Sequence, residues 1–248
     1  MTQDMTRTEP QSDVFQCAEA LRHRHVAVMF ADLDHFTRIC IDDPPEFVFG
    51  LIRDFQRVVT SAVAEFRGKL NSYQGDGILA TFADLAGRAD CTIRALKCAH
   101  TILEQIEALS LAHTRMSGRS VSISIGLQYG QTWTGTIDIS RRFGPTIIGD
   151  AINVATRLEQ RARALDARLV VGDDLIQRAR REAGPTACEL SPFVKVGPLF
   201  VHGRRTPVDV WKLLEPASDL SSGMSNPARS TANVAVAGLR AVAVANAS

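Results

Sequence analysis

The sequence predicts an α+β domain: a ferredoxin-like βαββαβ core followed by additional C-terminal α/β elements. Three observations predict it. An apolar, β-branched run (Val26–Ala31) precedes a long stretch with helical periodicity, in which Phe47, Leu51, Phe55, Val58, Ala62 and Phe66 recur on one face. Two short apolar runs, Leu70–Gln74 and Ile78–Phe82, then meet at Gly75-Asp76-Gly77, whose glycines permit a hairpin. A second amphipathic stretch and an alternating strand complete the strand-helix-strand-strand-helix-strand order.

Taken in order, the first strand is Val26–Ala31, the first long helix Glu46–Phe66, ended by Gly68, and the hairpin Leu70–Phe82. The second helix covers Ala89–Leu109, with Ile93, Leu96, Leu103 and Ile106 on one side, and Val121–Leu127 is the fourth strand of the core. Beyond the core come a hairpin arm over Thr132–Ile148, a helix over Gly149–Leu165, a strand over Arg168–Val171, a helix over Asp173–Arg181 and a final antiparallel pair. The ends differ in composition. Residues 1–24 are read as a polar tail with a short helix at Val14–Arg24, residues 25–214 as the domain, and residues 215–248, rich in Ser, Ala, Asn and Gly, as a disordered tail.

The 248 residues are 45% hydrophobic and 22% charged, enough for one sizeable core. A net charge of +1 excludes broad electrostatic attraction to nucleic acid or an acidic bilayer. Five scattered cysteines without paired spacing favour neither a disulfide framework nor zinc, and a reducing cytoplasm is the expected compartment. No run reaches the roughly 20 apolar residues of a membrane span, and no targeting signal is visible.

Three stretches carry chemistry. Phe30-Ala31-Asp32-Leu33-Asp34-His35-Phe36-Thr37 and Tyr73-Gln74-Gly75-Asp76-Gly77 each place an aspartate beside an apolar β-rich segment, where a carboxylate can meet a hard cation. Ile148–Glu159 opens an amphipathic helix with Asn153 and Arg157 one turn apart on the same face. Carboxylates for metal, then an amide and a guanidinium for ribose and phosphate, point to phosphoryl or nucleotidyl transfer. Taken singly, each residue has a plainer role: aspartates after strands form turns or cap helices, and an Asn/Arg pair can simply be a solvated helix face. Asp34 reads as a solvated turn residue and Asp150 as the cap of the Asn153 helix.

In combination and order, from about His25 to Leu214, these motifs resemble the class III nucleotidyl cyclases. The resemblance implies two ions, Mg²⁺ or Mn²⁺, held by Asp32, Leu33 and Asp76, with Phe36 and Thr37 approaching the phosphates. It implies Asn153 as the ribose-orienting residue and Arg157 as the transition-state arginine, both supplied by the opposite subunit of a homodimer. Arg141 falls at a phosphate-gripping position, Ser72 and Thr146 at base-reading positions, and His202 with Arg204 in the closing hairpin at a triphosphate position. The implied activity is conversion of a nucleoside triphosphate, with ATP favoured, into its 3′,5′-cyclic monophosphate and pyrophosphate, in a protein without nucleic-acid partners.

The chain departs from the family pattern at Ser72, where Lys or Glu is usual, at His35, where Gly is usual, and at His202, where Lys is usual. A cyclase using GTP or a pyrimidine triphosphate therefore stays open, as does a degenerate domain kept for nucleotide sensing or dimerisation. Asp32-Leu33-Asp34-His35-Phe36 also looks like the metal turn of diguanylate cyclases, but Gly75-Asp76-Gly77 lacks their second adjacent acid.

Overall fold

The computed structural model describes residues 22–118, 120–136, 145–184, 190 and 192–214. These belong to one unit of the chain, which ends at Leu214. The expected N-terminal tail, most of its helix, the tip of the hairpin at 137–144 and the C-terminal tail lie outside the described residues.

The core has the expected βαββαβ order. β1 (Arg22–Leu33) is followed by a short helix α1 (Phe36–Asp42) and the long α2 (Pro45–Glu65), then the hairpin β2 (Lys69–Gln74) and β3 (Gly77–Ala83), α3 (Cys91–Ser117) and β4 (Ile123–Gly135). Added to it are β5 (Thr146–Ile148), α4 (Asp150–Ala162) with a 3-10 turn at Arg163–Leu165, β6 (Leu169–Gly172), α5 (Asp173–Ala183), β7 (Phe193–Leu199) and β8 (Val208–Leu213). The strands form an eight-stranded sheet in the order β2-β3-β1-β4-β6-β8-β7, with β5 paired to β4. β1 lies antiparallel between β3 and β4, whereas β4 and β6 run parallel. A parallel pair needs a crossover, and α4 supplies it.

β1 is longer than its apolar segment. Arg22–Arg24, expected at the end of a helix, are strand because β4 pairs with them out to Arg22 opposite Thr134. The buried residues of β1 alternate between two layers. Ala27, Met29 and Ala31 join Leu51, Phe55 and Val59 of α2 and Leu96, Ala99 and Ile102 of α3 in the larger core. Val26, Val28 and Phe30 face the other way, with Leu79 of β3, against Ala151 and Ala155 of α4. A third cluster joins Val154, Leu158 and Ala162 of α4 to Val170, Val208 and Val210.

Two glycines on β4 set how deeply α4 lies on this second side. A Cβ at Gly126 would overlap the Ala155 carbonyl oxygen and stand 2.5 Å from the Glu159 nitrogen, and one at Gly130 would stand 3.0 Å from the Ala151 Cβ. Any larger residue at 126 would lift the helix off the strand.

The start of α3 is closed from a distance. Its first residues have no intrahelical acceptor, and no side chain of its own N-cap residue, Asp90, serves them. Glu182 of α5 does so instead: one carboxylate oxygen accepts from the Thr92 and Ile93 amides at 3.0 and 3.1 Å and from the Thr92 hydroxyl at 2.6 Å.

Candidate active site

The strand alternation that buries Phe30 against α4 turns Asp32 to the same side, where β1 ends. Asp32 is opposite Gly77 in the β1–β3 pairing, and the hairpin turn just before Gly77 brings the Asp76 carboxylate beside it. Both line an open cleft of about 580 Å³ together with Leu33, His35, Phe36 and Thr37. Burial, reinforced by the adjacent Asp76 carboxylate, pushes the Asp32 carboxyl from 3.8 up to about 7. A half-buried carboxyl raised in this way, with a second carboxylate beside it, is a donor set suited to a hard cation, whose charge would favour the ionised form of Asp32.

His35 starts α1 with left-handed backbone, φ 58°. This gives the physical reason for the usual glycine at this position, since φ > 0 carries no steric cost for Gly. His is among the side chains that tolerate it. Phe36 and Thr37 form the first turn of α1, where backbone N–H groups have no intrahelical acceptor, and both line the cleft.

Asp34 corrects the sequence reading. It is buried, accepts a 2.8 Å hydrogen bond from the Ser124 hydroxyl, and lies 3.6 Å from the Arg163 guanidinium. Glu159, on the buried side of α4, was not singled out in the sequence. Burial first, then the charge of Asp32, raises its carboxyl to about 8. Local rules cannot find these two, because their partners come from distant strands and helices.

Asn153 and Arg157 are both exposed on α4, one turn apart as expected, and Arg157 donates to Gln160 at 2.7 Å. Neither lines the cleft of Asp32 and Asp76. At 100° per residue, Arg157 and Glu159 project about 160° apart around the helix. The structure thus does not bring the aspartates and the Asn/Arg pair together within one chain.

Arg204 and His202 belong with the Asn153 end of α4. Arg204 lies 3.5 Å from Asp150, and His202 is exposed in the turn before it. Asp150 is not the cap: Gly149 occupies that position and Asp150 is the first helical residue. Arg141 lies outside the described residues.

The two base-reading candidates also separate. Ser72 is opposite Leu79 and so shares the α4 side, whereas Thr146 alternates with Ile147, which packs on that side. Thr146 is exposed on the reverse face. The β2–β3 register shifts between Leu70 and Ser72, and Asn71, within that irregularity, accepts a 2.8 Å hydrogen bond from Thr81. Asn71 therefore joins Ser72 on the α4 side, a placement that alternation alone would not give.

Away from this site, Asp84, Cys91 and Glu182 have potential ligand atoms within 4.8 Å of one another. Their acceptors are already committed. Glu182 holds the α3 amides and the Arg178 guanidinium, Asp84 accepts from the Cys91 amide and from Arg178, and burial raises the Cys91 thiol well above its ordinary range. A thiol kept protonated and carboxylates already hydrogen-bonded make a helix-capping network, not a cation cage. Among the described residues, no helix is long and apolar enough to cross a membrane.

Known proteins share this architecture. The chain is 26% identical over 155 residues to an adenylate cyclase from Anabaena cylindrica, covering 62% of this chain and 30% of that relative's length. The adenylyl cyclase CyaB from P. aeruginosa superposes with a TM-score of 0.68 at 17% identity, covering 81% of this chain and 99% of that one. The guanylate cyclase domain of RhGC from Catenaria anguillulae, solved in complex with GTP, superposes with a TM-score of 0.61 at 19% identity over 77% of this chain and 97% of that one. With residues 18–213 matching the adenylate and guanylate cyclase catalytic domain, the chain belongs to that family.

Proposed function

We propose that this domain cyclises a nucleoside triphosphate, ATP in preference, by attack of the ribose 3′-hydroxyl on the α-phosphorus with departure of pyrophosphate, at sites completed between two copies of the chain. The observation that carries this reading is the Asp32–Asp76 pair in an open cleft, where burial and the neighbouring Asp76 raise the Asp32 carboxyl. Their hard oxygens, with the main-chain carbonyl of Leu33, suit Mg²⁺ or Mn²⁺. Two such ions, when bound, supply the Lewis acidity that activates the 3′-hydroxyl and offsets charge on the leaving pyrophosphate.

The remaining work falls to side chains and amides. Arg157 offers a planar fork to the α-phosphate oxygens as charge builds there, and Asn153 holds the ribose so that O3′ lies in line with the breaking bond. Both come from the second copy, which their exposure and their placement away from the cleft support. The first-turn amides of Phe36 and Thr37 approach the phosphates, Arg141 grips them from the metal side, and His202 and Arg204 approach from the Asn153 side. Ser72 faces the base from the α4 side, and Thr146, exposed on the reverse face of the sheet, would reach a base only from a different direction.

ATP is favoured because the Anabaena relative carries the name adenylate cyclase. The test is incubation of the purified chain with each of the four triphosphates and Mn²⁺, with the product identified by mass spectrometry. Cyclic AMP as the main product is expected. Predominant cyclic GMP or a pyrimidine product would reassign the base, and no cyclic product from any triphosphate would leave a nucleotide-sensing domain.

A further inference from the structure

The proposed chemistry places a highly charged triphosphate in the cleft, and of the expected cations Arg141 lies outside the described residues. His202 carries no fixed charge, and Arg204 is drawn to Asp150 at 3.5 Å with only 28% of its side chain exposed. Arg38 lines the cleft with 81% of its side chain exposed and is paired with Asp42, one turn further along α1, at 3.3 Å. Arg163 differs from both arginines in the length of its ion pair, which among the described residues is no shorter than 3.6 Å. It follows α4 directly, lines the cleft with Asp32 and Asp76, and keeps half of its side chain exposed.

Its two polar partners among the described residues are both long contacts: Asp34 at 3.6 Å from Nε and the His35 ring nitrogen at 3.4 Å from Nη1. A guanidinium has five N–H donors, and contacts at these distances leave most of its hydrogen-bonding capacity unspent. Asp34 is itself fixed by the Ser124 hydroxyl and by its own amide, which donates to the Ser122 carbonyl at 2.9 Å. The arginine is thus leashed by a rigid buried carboxylate at Nε and by the His35 ring at Nη1, while Nη2 has no hydrogen-bond partner among the described residues.

We propose that Arg163 is a triphosphate-binding residue, contributed by the same chain as Asp32 and Asp76, that contacts the β- and γ-phosphate oxygens. The inference rests on the cyclase reading for the identity of the substrate, and on the cleft geometry for the residue. Asp34 and His35 act as positioning residues that aim the guanidinium. The residue at 35 thereby acquires a use that glycine lacks: its imidazole holds one nitrogen of the fork.

The test uses the full chain with Mg²⁺ tripolyphosphate as a probe that has neither ribose nor base. By isothermal titration calorimetry, Arg163→Ala is expected to weaken tripolyphosphate binding about tenfold or more, the ordinary effect of losing a charge-assisted contact, with Arg163→Lys recovering part of it. In turnover, KM should rise by a similar factor with kcat changed by less than about threefold. Binding of Mn²⁺ alone, followed by electron paramagnetic resonance, should not weaken. If Arg163→Ala fails to fold by circular dichroism, Arg163→Gln takes its place, retaining length and a donor to His35 without charge.

Tripolyphosphate affinity unchanged within about twofold would overturn the inference, as would failure of the wild type to bind the probe. A parallel loss of Mn²⁺ affinity would also overturn it, by reducing Arg163 to a support for Asp34. If the wild type makes no cyclic product yet binds tripolyphosphate through Arg163, the cyclase reading fails and this inference stands.

Discussion

Arg157 and Asp32 lie on opposite sides of the same helix–strand contact, which makes a mixing experiment the sharpest check on the composite site. Glu159 faces Asp32 closely enough for their charges to interact. Arg157, two residues earlier, projects about 160° away from it. The guanidinium of one chain therefore cannot serve the carboxylates of that chain without unwinding α4, whose other face is buried at Val154, Ala155 and Leu158. Asp32→Ala and Arg157→Ala should each be inactive alone. Mixed in equal amounts and allowed to exchange, they form about half heterodimers, and each heterodimer has one of its two sites intact, so activity should return to about one quarter of wild type. Cyclic product is read by mass spectrometry and heterodimer content by native mass spectrometry. Heterodimers without activity, or substantial turnover by Asp32→Ala alone, would refute the reasoning.

Other perturbations test separate parts of the structure. Gly126→Ala should destabilise the fold by at least about 1–3 kcal/mol in urea denaturation, because its Cβ has to displace the α4 backbone; a neutral result would mean that α4 lies less deeply on β4. Ser72→Lys should shift kcat/KM toward ATP over GTP by about tenfold or more, the effect of one charge-assisted hydrogen bond in a dry pocket, and an unchanged ratio in an active variant would move base reading elsewhere, with Asn71 the next candidate. Because the folded metal-free protein holds the Asp32 proton up to about pH 7 against an ordinary 3.8, this group's contribution to stability is full at low pH and is lost as pH rises through that window. Urea midpoints of metal-free protein should fall with rising pH there, Mn²⁺ should reverse the slope, and Mn²⁺ affinity should drop as pH falls below about 7, by up to about tenfold per unit.

Periodicity made much of this fold legible. The apolar spacing of α2 and α3, the glycine-bounded turn at Asp76 and the alternation in β4 are local properties, and local rules find them. Asn153 and Arg157 were legible for the same reason, as a polar stripe bracketed by apolar positions. What escaped was set by partners far away in sequence. Asp34 looks solvated until Ser124 and Arg163 close over it, 90 and 129 positions later. Arg22–Arg24 look like the end of a helix until an equally long β4 pairs with them. Asp150 looks like a cap, but the glycine before it takes that position. The irregularity at Leu70/Ser72 is a property of strand pairing and left no trace in residue types, so Asn71 could not have been placed beside Ser72.

The placement of α4 supports the proposal that the site is completed by a second copy. Gly126 and Gly130 let the helix sink onto β4, which forces one of its faces against the strand and directs Glu159 toward Asp32. That burial commits the inward side to packing and to acids, so the groups suited to ribose and phosphate, Asn153 and Arg157, are left outside and exposed. Each chain thus carries an acid-lined cleft and, away from it, an amide and a guanidinium that has no carboxylate partner among the described residues. In the proposed isologous pair, where patch i meets patch j and j meets i, the two deficits would be met at once and two identical sites would form. An arrangement that left one partner's helix unmatched would complete at most one. On this argument, mutations that lift α4 should impair the helix-borne residues while leaving Asp32 and Asp76, which sit on β1 and its neighbouring hairpin, able to bind Mn²⁺.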